Sequence, residues 1–227
     1  MDLSVGLMAV CLSAPVLLMM VLTKGESRWI LFFILVGFVT CAVSADINDY
    51  ILLRFPEVKM AVFAAYYAPI VEETVKMIPV LIYSLLAVKK GNERIEFGMA
   101  VGVGFSILEN VYYMVTNVRK ISSIEWIFAR GFSTALMHAL CTVAVAYTLH
   151  VAYQHRKMLL TGTLAALTMV ITYHSAFNII LQTEYKEIAV FMPIITYSVF
   201  LIFMNRERIG KRIKKWYKFF VGHRRNP

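Results

Sequence analysis

Charge is what this sequence has least of. Only 16% of its 227 residues are Asp, Glu, Lys or Arg and 59% are hydrophobic, where an ordinary globular chain carries about 25% charged residues and under 50% apolar ones. The shortage excludes a conventional soluble domain, because so much apolar surface has only lipid to face. Cysteine is scarce as well. Cys11, Cys41 and Cys141 each fall inside an apolar run, so no disulfide framework and no metal-ligand spacing can be read from them, and they are expected as small core residues. There is no HExxH, no internal repeat, no low-complexity stretch and no linker that marks a domain boundary. No Ser, His, Asp arrangement stands out, and Ser44 beside Asp46 reads as the end of a span.

What the sequence does have is apolar runs of about 20 residues, the length that crosses a hydrocarbon core. Seven are found: Leu3 to Leu22, Trp29 to Ala45, Met60 to Val88, Phe97 to Asn117, Trp126 to Ala152, Leu159 to Leu181 and Ile188 to Met204. The expected fold class is therefore all-α, a polytopic membrane helix bundle of about 7 transmembrane spans, with residues 1–204 as one transmembrane domain. The first run has no basic stretch before it and Lys24 after it, so it reads as a retained span and not a cleaved signal peptide.

Basic residues favour the cytoplasmic side of short loops. Lys24, Arg28, Lys89, Lys90, Arg94, Arg156, Lys157 and the nine basic residues after Phe203 fall on one side of a seven-span chain. The other side collects Arg54, Lys59, Arg119, Lys120, Arg130 and Lys186, so the N-terminus is expected outside and the C-terminus inside. Residues 205–227 form a basic juxtamembrane tail in which Ile209, Ile213, Trp216 and Phe220 recur at helical spacing, as suits an anionic inner leaflet. The net charge of +9 is thus accounted for by the lipid bilayer as partner, without nucleic acid.

Ionisable side chains at a helix centre in a bilayer cost roughly 2.5 to 3.5 kcal/mol each, so they tend to mark function. The third run contains Glu72, Glu73 and Lys76 between Pro69 and Pro79. On a helix Lys76 lies one turn from both carboxylates, so it can neutralise one of them and leave the other suited to general base work. Each proline removes a helical hydrogen bond, which membrane proteins tolerate where backbone lines a cavity. Run four has Gly98, Gly102 and Ser106 every fourth residue, a stripe that lets another helix approach closely, and leads to Glu109 and Asn110. His138 lies near the middle of run five, and His174 with Asn178 shares a face of run six.

At about 1.5 Å per residue, Glu72, Glu109, His138 and His174 lie roughly 10 to 18 Å from the outer ends of their spans. Two carboxylates and two imidazoles at similar depth on four consecutive spans point to hydrolysis at an extracytoplasmic-side site. Either a Glu acts as general base on water with a His and an Asn amide stabilising the oxyanion, or Glu and His, drawn from Glu72, Glu109, His138 and His174, bind a Zn²⁺ that activates the water.

These motifs resemble the PrsW family of membrane-embedded proteases, relatives of the CAAX prenyl endopeptidase superfamily. The resemblance covers roughly residues 60 to 181 and rests on EExxK (Glu72, Glu73, Lys76), FxxxEN (Phe105, Glu109, Asn110), His138 followed by Ala-Leu, and HxxxN (His174, Asn178). It implies a cell-membrane protease that makes the first, extracytoplasmic-side cut in a single-pass anti-sigma factor during regulated proteolysis. It also implies roles. Glu72 or Glu73 would activate water, Lys76 would hold the paired carboxylate, Glu109 and His138 would complete the water or metal site, and His174 with Asn178 would form the oxyanion hole. The sequence departs from the family in having Cys141, Thr142 and Ala144 where glycines are frequent, and Asn178 where many members have Asp. The rival class is a proton-coupled transporter, since Glu and His beside proline-broken helices also suit one; no inverted repeat supports it.

Overall fold

The computed structural model describes residues 3–86, 91–117, 123–154 and 158–204. Its elements are α1 (Leu3–Leu22), α2 (Glu26–Arg54), α3, α4 (Gly91–Asn117), α5 (Ile124–Gln154), α6 (Leu159–Leu181) and α7 (Lys186–Met204), with no strand among the described residues. Helix α3 consists of three consecutive pieces, Met60–Val62, a π-helical turn Phe63–Tyr67, and Ala68–Leu86. Ser27–Arg54, Ile95–Asn117, Ile124–Ala152 and Leu159–Leu181 are long and apolar enough to cross a membrane. Helix α3 departs from that pattern because of Glu72, Glu73 and Lys76, and α1 contributes the shorter apolar stretch Met8–Leu22. Short connections make consecutive helices antiparallel.

All seven apolar runs are helices, but α2 continues past Ala45 to Arg54. The expectation that Ser44 and Asp46 end a span is therefore corrected. Cys41, Ser44, Ala45, Asn48, Asp49 and Leu52 recur at helical spacing and all line one cavity, so the polar residues mark an inward-facing stripe. Arg130, counted among the loop charges, lies inside α5, and Lys186 lies in the first turn of α7. Cys41 and Cys141 are buried as expected, whereas Cys11 is exposed on α1. Lys89, Lys90, Arg119, Lys120, Arg156, Lys157 and the tail 205–227 lie outside the described residues.

Helix α5 is central and packs on α3, α4, α6 and α7, while α2 packs on α1, α3 and α4. Helices in lipid gain little from the hydrophobic effect and associate through close contact. The α2–α4 crossing shows how: a Cβ on Gly37 would stand 2.7 Å from the Phe105 amide nitrogen, and one on Gly104 would run into the Ile34 carbonyl. The stripe on α4 faces α5, where a Cβ on Gly102 would sit 2.8 Å from Ala139 Cα and against the His138 carbonyl. Only glycine lets α4 and α5 approach this closely beside His138.

Phe33 of α2 and Phe97 of α4 stack at 4.7 Å between centroids, and Tyr83 of α3 meets both edge-on at 5.1 and 4.9 Å. With Val80, Val101, Val145, Ala146, Leu149 and Val170 these rings belong to a buried apolar core. Toward the other end, at the 55–59 and 182–185 connections, α2, α3 and α4 stand apart around the cavity.

Candidate active site

Helix α3 sets the centre of the site. Neighbouring helical residues point about 100° apart, so Glu72 and Glu73 face different surroundings. Glu73 turns into the bundle with 2% of its surface exposed, and Lys76, one turn on, is fully buried. Lys76 Nζ donates to Glu73 Oε1 at 2.7 Å, the i,i+3 member of the two pairings the spacing allowed. The same ammonium sits 2.6 Å from His138 Nδ1 and 4.4 Å from the centroid of the Phe105 ring. With Lys76 as donor, His138 carries its proton on Nε2 and gives it to Glu109 Oε2 at 2.6 Å. His174 Nδ1 lies 2.7 Å from Glu73 Oε1, and because an ionised carboxylate only accepts, His174 donates there and keeps the lone pair on Nε2.

Five of the expected residues, on four helices, therefore form one hydrogen-bonded series from His174 through Glu73, Lys76 and His138 to Glu109. The rings of His138 and His174 meet edge-on at 4.9 Å. Breaking any link would leave a buried polar group unsatisfied, which is costly in low dielectric.

Glu72 stands outside that series. Its side chain is 14% exposed, it lines the cavity, and its Oε2 has no hydrogen-bond partner among the described residues. That oxygen is 3.9 Å from His174 Nε2, too long for a hydrogen bond and suited to a small group held between them. The cavity has a volume of about 620 Å³ and is also lined by Glu109, 29% exposed at its side chain, and by Asn48, Asp49, Arg130 and Asn178. Ser44 Oγ and Asn48 Oδ1 are two further buried atoms on its wall without a partner among the described residues. Buried polar groups are nearly always satisfied, so three orphans on one cavity mark a polar, reactive space.

Asn178 is placed by the break in α3. Pro69 has no N–H, and in the π turn the Ala68 amide bonds to the Phe63 carbonyl, so the Ala64 carbonyl loses both its α and its π partner. Asn178 Nδ2 takes up that carbonyl at 2.9 Å. An oxyanion role for this amide thus falls to its second hydrogen. Pro79 lies within the continuous helix Ala68–Leu86.

Ligand atoms of Glu72, His138 and His174 all lie within 4.8 Å of one another. The donor set is two imidazoles and one carboxylate, a combination found at catalytic zinc. Two members are ready: Glu72 Oε2 is unpartnered, and Glu73 orients His174 as a carboxylate behind a ligating imidazole does. His138 would exchange its Glu109 hydrogen bond for the ion. Glu109 stands as the hydrogen-bond partner of His138 and outside the three-ligand group. Three carboxylates against Lys76 leave an excess of negative charge that a divalent cation would balance.

Asn48, Asp49 and Arg130 were not singled out by sequence reasoning. The signal for the first two is the six-residue stripe on α2; for Arg130 it is its place inside the fifth apolar run, Trp126 to Ala152, although it was counted with the loop charges.

A helical membrane bundle with carboxylates on a cavity wall and buried imidazoles packed behind them defines an intramembrane hydrolase. A family model described as PrsW family intramembrane metalloprotease matches residues 25–204, most of the chain, and the protein belongs to that family of intramembrane proteases. No curated protein and no solved structure matches the chain.

Proposed function

We propose that the protein is an intramembrane endopeptidase that makes a site-1 cut in a single-pass membrane protein of the anti-sigma factor kind, at the extracytoplasmic side of the cell membrane. The observation that carries this reading is the division of labour between adjacent carboxylates. Glu72 faces the cavity with an unpartnered oxygen, while Glu73 is enclosed by Lys76 and His174. Glu72 is then the group that takes a proton from water, or holds the ion, and Glu73 positions His174 and Lys76. The second Asn178 hydrogen faces the developing oxyanion, and Glu72 passes the proton taken from water on to the leaving amine, while Glu109 holds His138.

Glu72, His138 and His174 would hold the metal. A bound Zn²⁺ would supply Lewis acidity and lower the pKa of water there. The outward position of the site is supported by the direction in which the cavity lies, toward the 55–59 and 182–185 connections that the basic-residue count assigns to the outside. Exposed Tyr50, Phe55 and Tyr185 at the same end suit a membrane–water interface.

The test compares membrane proteomes of cells making the native chain and Glu72→Gln at equal level. Fragments of single-pass proteins cut near the outer face only with the native chain are expected, with cleavage reduced by about 10²- to 10⁴-fold in the variant. Metal analysis of purified native protein and His174→Ala should show about one zinc per chain in the former and little in the latter. Identical proteomes together with substrate-driven proton flux in liposomes would replace this reading with transport.

A further inference from the structure

A guanidinium inside a spanning helix needs a reason, because an arginine there carries a cost on insertion comparable to that of the glutamates. Arg130 lies in α5 on the cavity wall. Among the described residues no carboxylate comes within salt-bridge distance of it. It is nevertheless held in place. Nη1 donates to Asn110 Oδ1 at 3.2 Å, the guanidinium carbon lies 3.5 Å from the centroid of the Tyr113 ring, and Asn110 Nδ2 donates to the Gly131 carbonyl at 3.1 Å. Asn110 thus clamps α4 to α5 on either side of one peptide and fixes the guanidinium plane against Tyr113. This leaves Nε and Nη2 without a hydrogen bond to any described residue. A planar, fully charged fork with free donors matches a carboxylate better than any other group a polypeptide offers.

We propose that Arg130 anchors an acidic side chain of the substrate, and so selects substrates with Asp or Glu on the outer flank of the scissile bond. The inference rests on the cavity being the substrate site. Arg130 precedes His138 by eight residues on α5, about 12 Å at 1.5 Å per residue. An extended peptide covers that distance in three or four residues at about 3.3 Å each. The acidic residue therefore belongs three or four positions from the bond that is cut. Asn110 and Tyr113 are positioning residues that act through Arg130.

The test uses the full chain in phosphatidylcholine nanodiscs with Trp29 and Trp216 replaced by Phe, so that Trp126 on the cavity wall reports binding. The probes are paired apolar decapeptides with a single Asp or Asn four residues from the centre, on either side. The Asp peptide of one pair is expected to bind about 10- to 100-fold more tightly than its Asn twin, as a charge-assisted pair should. Arg130→Gln should erase that difference and leave the Asn peptide unchanged, while Arg130→Lys, which keeps the charge and loses the fork, should retain part of it. Melting curves of both variants establish that they are folded. Equal binding of Asp and Asn peptides by the native chain, a preference that survives Arg130→Gln, equal weakening of both peptides, or no binding of either would overturn the proposal. Peptide binding with proteomes that do not differ between native and Glu72→Gln cells would instead sink the peptidase reading and leave the anchor standing.

Discussion

Around Phe33, Tyr83 and Phe97, helices α2, α3 and α4 meet ring on ring; around Glu72 the same three helices draw apart and line about 620 Å³ of cavity. The closed half is apolar and its contacts are redundant, so no single one decides the structure. The cavity half is polar, and each contact there has one specified partner. The difference follows from the solvent. Lipid gives apolar helices little reason to associate, so the closed half relies on close approach. Buried charges have a strong reason to pair, so the seam between the halves is where Glu73, Lys76, His138 and His174 lock together.

The largest change should come from attacking that seam. Glu73→Gln leaves the Lys76 ammonium buried without its counter-charge, and a loss of about 3–5 kcal/mol is expected by unfolding in detergent, with cleavage lost. Adding Lys76→Met should recover most of the stability and none of the cleavage. A double variant as unstable as the single one would show that the seam is held by something other than the ion pair. Next in size is Gly104→Val, which forces α2 and α4 apart. We expect a loss of about 1–3 kcal/mol and weaker cleavage, because Glu109 lies on the same helix; unchanged melting would contradict the close α2–α4 crossing.

Phe97→Leu tests the opposite half. Its melting should fall by about 1 kcal/mol while cleavage by the folded protein stays within about twofold of native; a selective loss of cleavage would show that the two halves are coupled. The smallest effect on stability is expected from Asn178→Ala. An interhelical hydrogen bond in a membrane protein averages about 0.6 kcal/mol, so overall stability should barely move. Faster hydrogen exchange confined to residues 60–68 would show that the amide holds the π turn, and unaltered exchange there would remove that role.

Much of this was legible in the sequence. Seven apolar runs gave seven helices because lipid enforces length, and the spacing of Glu72, Glu73 and Lys76 placed an ion pair in α3 before any packing was known. Which glutamate paired was not legible, since both lie one turn from Lys76 and only the rotation of α3 within the bundle decides. The shared depth of Glu109, His138 and His174 could be counted, but their lateral meeting depends on glycine crossings far from them in sequence. The end of α2 was misread because Ser44 and Asp46 look like solvent residues when the polar surface they belong to lies inside the bundle. The Asn178–Ala64 contact required knowing that Pro69 and a π turn together strip one carbonyl of its partners.

The π turn Phe63–Tyr67 closes each loop with one residue more than an α-helix would. Helix α3 therefore carries an extra step ahead of its charged segment, and the phase of Met60–Val62 is offset from that of Ala68–Leu86. Removing a single residue from the turn would let it close as an α-helical turn, with Ala68–Leu86 kept facing as it does. A deletion between Ala68 and Glu72 has no spare residue to absorb it, and with the Met60 end held by its neighbours it would bring Glu73 to the place of Glu72, toward the cavity. The count of residues between that turn and the charged pair thus decides which of two chemically identical side chains is kept dry.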